Sequence, residues 1–471
     1  MVEKNKFYIT TAIDYVNAAP HIGHAFEKVL ADVLARWNRL IGKDVFFMTG
    51  VDENAQKNVR AAKNLGMGVE KFVDKNTALF LKLCDDLNIS YDKFVRTTAD
   101  EHKKVVQKIV KRIMDNGDIY KGVYEGYYCS GCEGYKTEKD LIDGRCPEHN
   151  KEPDHMKEEA YFFRLSKYEN KLIKYVKNYV VPDSKKNEIL ARLEGGLNDV
   201  CISRKDVGWG IDFPGNNNFK IWVWIDALIN YVSGAEKEWP ANLHIVGKGI
   251  NWFHSVIWPA VLMSAEYPLP DKLLVHGYLI SGGKKMSKTL GNVVDPLDLL
   301  SKYNPDSIRY ALLKSNVFDD SDFSEDALIS RHNDELANKL GNLVSRVSGL
   351  IEKNGLEKCE NKLAKKFKIK EILKLINEYK FDKALNEVFS FVDVCNEYVQ
   401  DKKPWETGDK KVLCEVADSI KKIAIVLSPF IPEASEKIAE HFGFRVAWSE
   451  LEKPLGNVKV KKGEVLFKKI I

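Results

Sequence analysis

The chain has 471 residues, of which 44% are hydrophobic and 30% charged, and its formal net charge is +4. This composition is typical of a globular protein and excludes a disordered, collagen-like or disulfide-stapled chain. At about 150 residues per domain, the length predicts about three domains. No apolar run reaches the ~20 residues of a membrane span, and the charged start of the chain does not resemble a signal peptide. We therefore expect a cytoplasmic protein with no membrane partner and with reduced cysteines.

The first part of the chain alternates between strand and helix signals. Residues 7–11 are β-branched or aromatic, residues 21–41 carry apolar side chains at helical spacing, and residues 44–50 again indicate a strand. Strand, helix and strand in this order predict a βαβ unit and a parallel α/β sheet. The pattern resumes at residues 221–225 and 243–247, which are both predicted to be strands.

Two long regions break this alternation. Residues 116–221 contain a cysteine cluster and several prolines and glycines, and we interpret them as an insertion. From about residue 326 the pattern is almost wholly helical, with amphipathic stretches at 336–350, 370–398 and 413–442. The sequence thus predicts an α/β domain with an insertion, followed by a C-terminal α-helical bundle.

A loop-to-helix junction after the first strand carries two histidines, His21 and His24. The start of a helix offers backbone N–H groups and a positive dipole end, which suit a phosphate group. The two imidazoles are three residues apart on one helix face and can donate hydrogen bonds to phosphate oxygens. Gly23, between them, lets a planar base or a ribose approach the backbone. Two ordinary surface histidines are the alternative when the junction is taken alone.

A second candidate phosphate site is the segment 281–289, which is rich in glycine and lysine. Lys285 and Lys288 can neutralise the charge that develops on a pyrophosphate leaving group, and Ser287 adds a hydroxyl. A solvated basic loop is the alternative when this segment is taken alone.

Four residues have the spacing of a tetrahedral zinc site, C-x2-C-x13-C-x2-H: Cys129, Cys132, Cys146 and His149. Four protein ligands leave no open coordination position, so we expect one structural zinc ion per chain. Chance clustering of reduced cysteines is the alternative. The remaining cysteines are scattered and are expected to be buried apolar residues, namely Cys84, Cys201, Cys359, Cys395 and Cys414.

Aromatic and short aliphatic residues follow three predicted strands, at the carboxyl ends where α/β sheets bind ligands. Together they would form an apolar pocket for a flexible thioether. Asp52 follows another strand end and could pair with an ammonium group. Taken singly, each aromatic is better explained as a core residue, and only their joint placement favours a pocket. The predicted pocket residues are Ala12, Ile13, Tyr15, Trp224, Ala227, Tyr231, Ile250 and His254.

The two candidate phosphate sites, taken together, resemble the HIGH and KMSKS signatures of class I aminoacyl-tRNA synthetases. They stand here as HIGH at residues 21–24 and KMSKT at 285–289, where a threonine replaces the final serine. Further blocks narrow the resemblance to the methionyl-tRNA synthetase family over nearly the whole chain. These blocks are the VWIDALINY run at 223–231, the single zinc knuckle, the NLVSR segment at 342–346 and the KPW triplet at 403–405.

The resemblance implies a domain organisation. The implied parts are the first half of a Rossmann-like catalytic domain (1–115), a connective insertion (116–221) with a zinc knuckle (about 127–151), the second half of the catalytic domain (222–275), a region that contacts the tRNA stem (276–335) and a helical anticodon-binding domain (336–471).

The implied activity joins L-methionine to elongator and initiator tRNA(Met) for translation, through methionyl-adenylate. The magnesium complex of ATP would bind to His21, Gly23, His24, Lys285, Ser287 and Lys288, of which the two histidines and two lysines are also predicted to be catalytic. Asn342, Arg346 and Trp405 would bind the anticodon, with the indole stacked on a base. Gly249 stands where the family commonly has an acidic residue near ATP. We expect a monomer.

Three alternatives remain open on the sequence alone: another class I synthetase, a nucleotidyltransferase that never meets tRNA, and an RNA-binding relative that has lost catalysis. The insertion is shorter than the editing domain that the leucine, isoleucine and valine enzymes carry. No cysteine lies near residues 12–15, as a zinc-bound cysteine substrate site would need. The intact histidine and lysine pairs argue against lost catalysis.

Overall fold

The computed structural model describes residues 5–148, 150–205, 207–286, 292–456 and 458–471, with only the backbone of Lys285. In chain order, the strands are β1 (Lys6–Thr11), β2 (Asp14–Tyr15), β3 (Asp44–Asp52), β4 (Lys93–Arg96), β5 (Ile119–Cys129), β6 (Gly134–Lys136), β7 (Asp154–Phe163), β8 (Val180–Val181), β9 (Val200–Cys201), β10 (Ser203–Lys205), β11 (Asp212–Phe213), β12 (Asn216–Ile221), β13 (Leu243–Gly247), β14 (Lys272–His276), β15 (Leu279–Ser281), β16 (Lys284–Lys285) and β17 (Ser321–Asp322).

The helices are α1 (Ile22–Leu40), α2 (Gln56–Asn64), α3 (Val69–Asp86), α4 (Asp100–Asp115), α5 (Glu169–Tyr179), α6 (Asp183–Glu194), α7 (Val223–Ser233), α8 (Trp258–Ser264), α9 (Pro296–Lys302), α10 (Pro305–Leu313), α11 (Glu325–Arg331), α12 (Asn342–Asn354), α13 (Ile369–Asn377), α14 (Phe381–Lys402), α15 (Pro404–Thr407), α16 (Lys410–Leu427) and α17 (Pro432–Phe442). Short 3-10 turns lie at Glu138–Asp140, Leu165–Tyr168, Lys248–Ile250, Leu363–Lys366 and Trp448–Glu450, and π-helical turns at Phe253–Ile257 and His332–Gly341.

The chain forms two compact units. Of the described residues, the first unit contains those up to Pro20, Val45–Asp85 and Ser90–His276, and the second contains those of His21–Asp44, Asp86–Ile89 and Gly277–Ile471. None of the helices in the described ranges combines the length and apolar character needed to cross a bilayer.

The first unit is built on a sheet with the strand order β2-β3-β1-β13-β14-β8, and β4 also pairs with β3. β1 pairs with β13, β13 with β14, β14 with β8, and β3 with both β2 and β4, all in parallel. The parallel register places Tyr15 opposite Asp52 and Thr11 opposite Ile245. Parallel strands end at one edge of a sheet, so this register brings the segments after β1, β2 and β3 together. The predicted α/β class is confirmed.

Two antiparallel sheets occupy the region in which the sequence loses its strand–helix alternation. One has the order β6-β5-β7-β9 and the other the order β10-β12-β11. The long pairing of β5 with β7 extends from Ile119 opposite Phe163 to Tyr128 opposite Asp154. The cysteine cluster lies at this end of the sheet: Cys129 ends β5, Cys132 lies in the turn between β5 and β6, and Cys146 lies between β6 and β7.

The predicted strand at residues 221–225 is wrong. β12 ends at Ile221, and the helix α7 occupies Val223–Ser233. All residues of α7 from Val223 to Val232 are buried. A helix that is buried on every side has a continuous apolar sequence, which resembles a buried strand as long as periodicity is the only guide.

The second unit is mainly helical, as predicted for the C-terminal region. Its centre is α16, whose residues from Val412 to Leu427 are all buried. A buried ion pair ties α10 to α1, because Arg309 Nη2 lies 2.7 Å from Asp32 Oδ2 and both side chains are fully buried. The same guanidinium donates to the backbone carbonyls of Leu87, Pro429 and Phe430. Charges removed from water in this way stay stable only with a full set of partners, which this arginine has.

The cysteines outside the cluster differ from the prediction in one respect. Cys84, Cys201 and Cys395 are buried free thiols, as expected. Cys359 and Cys414 instead form a disulfide with a Cα–Cα distance of 6.1 Å. The prediction that all cysteines are reduced is therefore wrong for this pair, because residues 55 positions apart meet only in the folded helical unit.

Candidate active site

The start of α1 is built by the two histidines of the HIGH segment. His21 is the N-cap residue, and its Nδ1 accepts a hydrogen bond of 3.1 Å from the N–H of Gly23. In return, Nδ1 of His24 accepts from the N–H of His21 at 3.0 Å, and the two rings stack with centroids 3.7 Å apart. This reciprocal capping satisfies two backbone donors at the helix start. An accepting Nδ1 places the proton of a neutral ring on Nε2, so each ring carries an N–H suited to a phosphate oxygen.

The surroundings of this helix start determine the charge of His24 and the space around Gly23. Desolvation of the half-buried ring and the nearby charge of Lys28 lower the pKa of His24 to about 3, so this ring is neutral at physiological pH. A Cβ atom at Gly23 would lie 2.9 Å from Cε1 and 3.0 Å from Nδ1 of His21. Glycine is therefore required here to let the His21 ring fold back over the helix start.

The segment with the predicted lysines begins in a hairpin of the second unit. β15 and β16 pair in antiparallel fashion, with Ser281 opposite Lys284. The N–H groups of Gly282 and Gly283 donate to the carboxylate of Asp322 at 3.1 and 2.8 Å, which fixes the tip of the hairpin. The predicted residues Ser287 and Lys288 lie outside the described residues, as does the side chain of Lys285.

The far end of the same segment returns to the start of α1. Asn292 Nδ2 donates to the carbonyl of Ser281 at 3.4 Å. Two residues later, the carbonyl of Val294 accepts a hydrogen bond of 3.0 Å from the N–H of Ile22. Val294, six residues after the last predicted lysine in the sequence, therefore lies beside the helix start that the two histidines cap.

The predicted thioether pocket contains a stack of aromatic rings in the first unit. The Tyr15 and Trp224 rings meet edge to face with centroids 6.2 Å apart, and Trp224 stacks on Phe253 at 3.6 Å. Nε2 of His254 lies 2.7 Å from the hydroxyl of Tyr231. Trp224, Ala227 and Tyr231 share one helix, α7, rather than following a strand as predicted.

The aliphatic members of the predicted pocket lie around the same core. Ala12 is buried, and its N–H donates to the carbonyl of Ile245 at 3.1 Å. Ile13 is half-buried, and Ile250 packs, partly exposed, on the core cluster that contains Ala12 and Trp224. The structure thus brings most of the predicted pocket to one apolar region, with Gly249 in the adjoining 3-10 turn.

Asp52 is a buried carboxylate at the end of β3, opposite Tyr15. Its Oδ1 accepts a hydrogen bond of 3.1 Å from the N–H of Asn54. Burial and the nearby carboxylate of Asp226 raise its pKa well above the usual range, although the Asn54 hydrogen bond and the charge of Lys57 act in the opposite direction. A cation placed at this site would favour the ionised form.

Lys57 was not among the predicted site residues. Its Nζ lies 3.3 Å from the centroid of the Tyr15 ring and donates to the carbonyl of Gly131 at 3.3 Å, and burial lowers its pKa to about 8. In the sequence, Lys57 is a single lysine at the start of a polar helix, and only the pairing of β2 with β3 reveals its position.

The cysteine cluster has a geometry that fits zinc. The Sγ atoms of Cys129, Cys132 and Cys146 all lie within 4.8 Å of one another, and those of Cys132 and Cys146 are 3.5 Å apart. A tetrahedral zinc ion with Zn–S distances of about 2.3 Å holds sulfur atoms about 3.8 Å apart. His149, the predicted fourth ligand, lies outside the described residues.

The turn of the knuckle is bonded directly to the aromatic pocket. Nε1 of Trp224 donates to the carbonyl of Cys132 at 3.0 Å, and Nε1 of Trp222 donates to the carbonyl of Glu133 at 2.7 Å. The side chain of Glu133 in turn accepts from the N–H of Lys57 at 2.7 Å. A metal that fixes this turn would therefore also fix the indole of Trp224.

The three predicted anticodon residues lie in the second unit. Asn342 is exposed at the start of α12, and Arg346, one turn later, donates to Asn396 Oδ1 at 3.1 Å. Trp405 lies in the short helix α15, where 39% of its surface is exposed. An exposed indole, an exposed amide and a partly buried guanidinium group suit a single-stranded RNA loop.

Comparison with known proteins shows to which family the chain belongs. A family model described as "tRNA synthetases class I (M)" matches residues 7–155 and 137–348, and one described as "Anticodon-binding domain of tRNA ligase" matches residues 364–469. The chain belongs to the class I methionyl-tRNA synthetase family. The family resemblance inferred from the HIGH and KMSKT segments is thereby confirmed.

Relatives of this synthetase family match along nearly the full chain. The chain is 41% identical to the methionine–tRNA ligase of Clostridium acetobutylicum, over 100% of this chain and 79% of that protein. It is 39% identical to the Rickettsia prowazekii protein of the same name, over 93% of both chains. A solved structure of the Mycobacterium tuberculosis methionyl-tRNA synthetase in complex with methionyl-adenylate superimposes with a TM-score of 0.94, at 32% identity and over 98% of this chain and 99% of that one.

Proposed function

We propose that the chain joins L-methionine to tRNA(Met) in two steps driven by ATP. In the first step, a carboxylate oxygen of methionine attacks the α-phosphorus of ATP, and the bond to the bridging oxygen breaks to release pyrophosphate. In the second step, a hydroxyl of the terminal tRNA ribose attacks the carbonyl carbon of the adenylate, and AMP leaves. Neither step needs a protein nucleophile, so alignment and charge stabilisation supply the catalysis.

The observation that carries this proposal is the hydrogen bond from Ile22 to Val294, which anchors the lysine segment at the helix start that His21 and His24 cap. In the proposal, the N–H groups of this helix start and the two imidazoles hold the triphosphate, while Gly23 leaves room for the nucleoside. Lys285, Ser287 and Lys288 would close on the same triphosphate and stabilise the leaving pyrophosphate. ATP is expected as its magnesium complex.

The amino-acid side of the proposal uses the aromatic region of the first unit. Methionine's thioether would contact the rings of Tyr15, Trp224 and Tyr231, since sulfur packs favourably against aromatic edges. Ala12, Ile13, Ala227, Ile250 and His254 would complete the predicted pocket. The ammonium group of methionine would pair with Asp52, whose buried carboxylate is otherwise costly to ionise.

Two further parts of the proposal concern zinc and RNA. Cys129, Cys132, Cys146 and His149 would hold one zinc ion, which supplies a fixed cross-link to the knuckle and takes no part in the reaction. The anticodon of tRNA(Met) would be bound by three groups of the helical unit, namely Asn342, Arg346 and Trp405. The domain limits inferred from the resemblance, the cytoplasmic location and the monomeric state stay predictions.

One experiment tests the whole proposal. ATP–pyrophosphate exchange is measured with each of the twenty amino acids, followed by charging of tRNA(Met) and of a non-cognate tRNA with radiolabelled amino acid. The proposal expects exchange with methionine alone and charging of tRNA(Met) alone. Exchange without charging would support a tRNA-independent nucleotidyltransferase, and no exchange with any amino acid would support an RNA-binding relative without catalysis.

A further inference from the structure

A network of buried polar groups connects Asp52 to His102. Its members lie in the first unit, on β3, the turn after β3, α4 and α7. Asp52, Asn54, His102 and Asp226 each expose 5% of their surface or less. Buried polar groups of this kind are retained only where their hydrogen bonds are complete or where they serve the site.

One end of this network is the carboxylate of Asp52, which is proposed to bind the substrate's ammonium group. Asp52 Oδ1 accepts from the backbone N–H of Asn54 at 3.1 Å. The side chain of Asn54 is held in turn, because its Nδ2 donates to Asp226 Oδ2 at 2.8 Å and to the carbonyl of Thr97 at 3.0 Å. One residue, Asn54, therefore connects the carboxylate of Asp52 to the carboxylate of Asp226.

The other end of this network is a histidine on helix α4. Nε2 of His102, on α4, lies 2.6 Å from Asp226 Oδ1, and Nδ1 of the same ring lies 2.6 Å from the hydroxyl of Ser233. A carboxylate oxygen accepts hydrogen bonds, so Nε2 of His102 is the donor to Asp226. Ser233 and Asp226 lie on α7, the helix that also carries Trp224. His102 is not among the predicted site residues.

We propose that His102 is a positioning residue for the amino-acid site, which acts through Asp226 and Asn54 to fix the Asp52 carboxylate in the orientation that binds the substrate's ammonium group. This inference rests on the proposed function. The geometry has one clear consequence: without the His102 bond, Asp226 keeps only its bond to Asn54 among the hydrogen bonds described above. The Asn54 amide then has one firmly held partner, the carbonyl of Thr97, in place of two, and its backbone N–H is held less firmly against Asp52. The raised pKa of Asp52 supports this inference, because the ionised form of a buried carboxylate depends on each hydrogen-bond donor that is held in place.

Two substitutions at His102 separate the hydrogen bond from the bulk of the ring. In His102→Gln, the side-chain amide reaches about as far as Nε2 of histidine and can still donate to Asp226. In His102→Asn, the amide reaches only about as far as Nδ1, so the Ser233 contact is kept and the Asp226 contact is lost. His332→Asn is the matched control, since His332 is also buried and contacts a serine hydroxyl, that of Ser307, at 2.8 Å.

The measurement is methionine-dependent ATP–pyrophosphate exchange on the full chain, combined with two inhibitors. Methioninol keeps the ammonium group, and 4-(methylthio)butan-1-ol is the same molecule without it. We expect His102→Asn to raise the KM for methionine and the inhibition constant of methioninol by about 10-fold or more, as a lost hydrogen bond to a charged group would. The KM for ATP and the inhibition constant of the deaminated alcohol should change less than about 2-fold, and His102→Gln and His332→Asn should stay near the wild type.

The results of these measurements distinguish a failure of this inference from a failure of the proposed function. An equal loss of affinity for both alcohols in His102→Asn would indicate general loosening and overturn the inference, as would an unchanged methionine KM. If His102→Asn does not fold, judged by its thermal unfolding, Ser233→Ala serves instead, with a selective loss of about 3-fold expected for methioninol and none for the deaminated alcohol. Absence of methionine-dependent exchange in the wild type would contradict the proposed function itself.

Discussion

The backbone N–H of Ile22 donates to the carbonyl of Val294 over 3.0 Å. Ile22 is the first residue of α1, between the N-cap His21 and Gly23, and Val294 closes the segment that starts in the β15–β16 hairpin. This single hydrogen bond fixes one end of the lysine segment at the candidate phosphate site. Val294 lies only six positions after Lys288 in the sequence, which is why we propose that Lys288 acts on a triphosphate bound at this helix start.

Replacement of Gly23 by alanine should weaken ATP binding. The new Cβ would lie 2.9 Å from Cε1 of His21, so the ring must leave its stack with His24. We expect the KM for ATP in pyrophosphate exchange to rise about 10-fold, as for the loss of one hydrogen bond to a charged group. Gly68→Ala is the control, because a Cβ there meets nothing within 4 Å. Equal values for both variants would remove the role assigned to the His21 ring.

Loss of the metal should affect methionine more than ATP. The knuckle turn accepts hydrogen bonds from the indole of Trp224 at Cys132 and from the amine of Lys57 at Gly131. We expect Cys132→Ser to lose bound zinc, measured by native mass spectrometry, and to raise the methionine KM by about 10-fold. Cys201→Ser, at a buried free cysteine outside the cluster, should retain one zinc ion per chain. Full zinc occupancy in Cys132→Ser would exclude this residue as a ligand.

Removal of the exposed indole in the helical unit should impair only the tRNA step. Stacking on one base contributes about 1–3 kcal/mol, so Trp405→Ala should raise the KM for tRNA(Met) by about 5- to 150-fold. Pyrophosphate exchange, which needs no tRNA, should be unchanged. Val465→Ala, which truncates another exposed apolar side chain of the same unit, is the control. A Trp405→Ala chain that charges tRNA normally would remove Trp405 from the anticodon site.

The disulfide can be checked by thiol counting. In denaturant with a chelator and without reductant, the pairing of Cys359 with Cys414 leaves six of the eight cysteines as thiols. Closure of a loop across 55 residues should also contribute about 4 kcal/mol to the free energy of unfolding, which a reductant would remove. Eight titratable thiols would mean that the pair is reduced in the isolated protein, as the sequence analysis expects of a cytosolic chain.

The sequence predicts the parts of the molecule that have strong local signals. The strand before Ala12, the helix after His21 and the cysteine spacing each follow from residue type and position within a short window. The two signature motifs could be linked only by family resemblance, since no local signal relates Ile22 to Val294. The contact between Ile22 and Val294 is a product of the fold, and the structure supplies it.

The misjudged and missed residues share one physical cause. The helix at Val223–Ser233 resembles a strand in sequence because it is buried on all sides and therefore has no polar face to give a periodic signal. His102 lies on an amphipathic helix and shows nothing unusual in the sequence, and its link to Asp226 joins residues 124 positions apart. Lys57 is likewise one lysine among many until β2 and β3 pair. The burial of α7 and the positions of His102 and Lys57 all depend on contacts between residues that are far apart in the sequence. Local sequence patterns do not encode such contacts.

The account depends most on the lysines acting at the triphosphate that the helix start binds. The direct test is the single-turnover rate of methionyl-adenylate formation by Lys288→Ala, with Lys284→Ala as the control for the neighbouring exposed lysine. Removal of a group that stabilises developing charge should lower the rate by about 100-fold or more, while the affinity for methionine changes less than about 2-fold and Lys284→Ala keeps the wild-type rate. A Lys288→Ala chain that forms the adenylate at the wild-type rate would contradict the account.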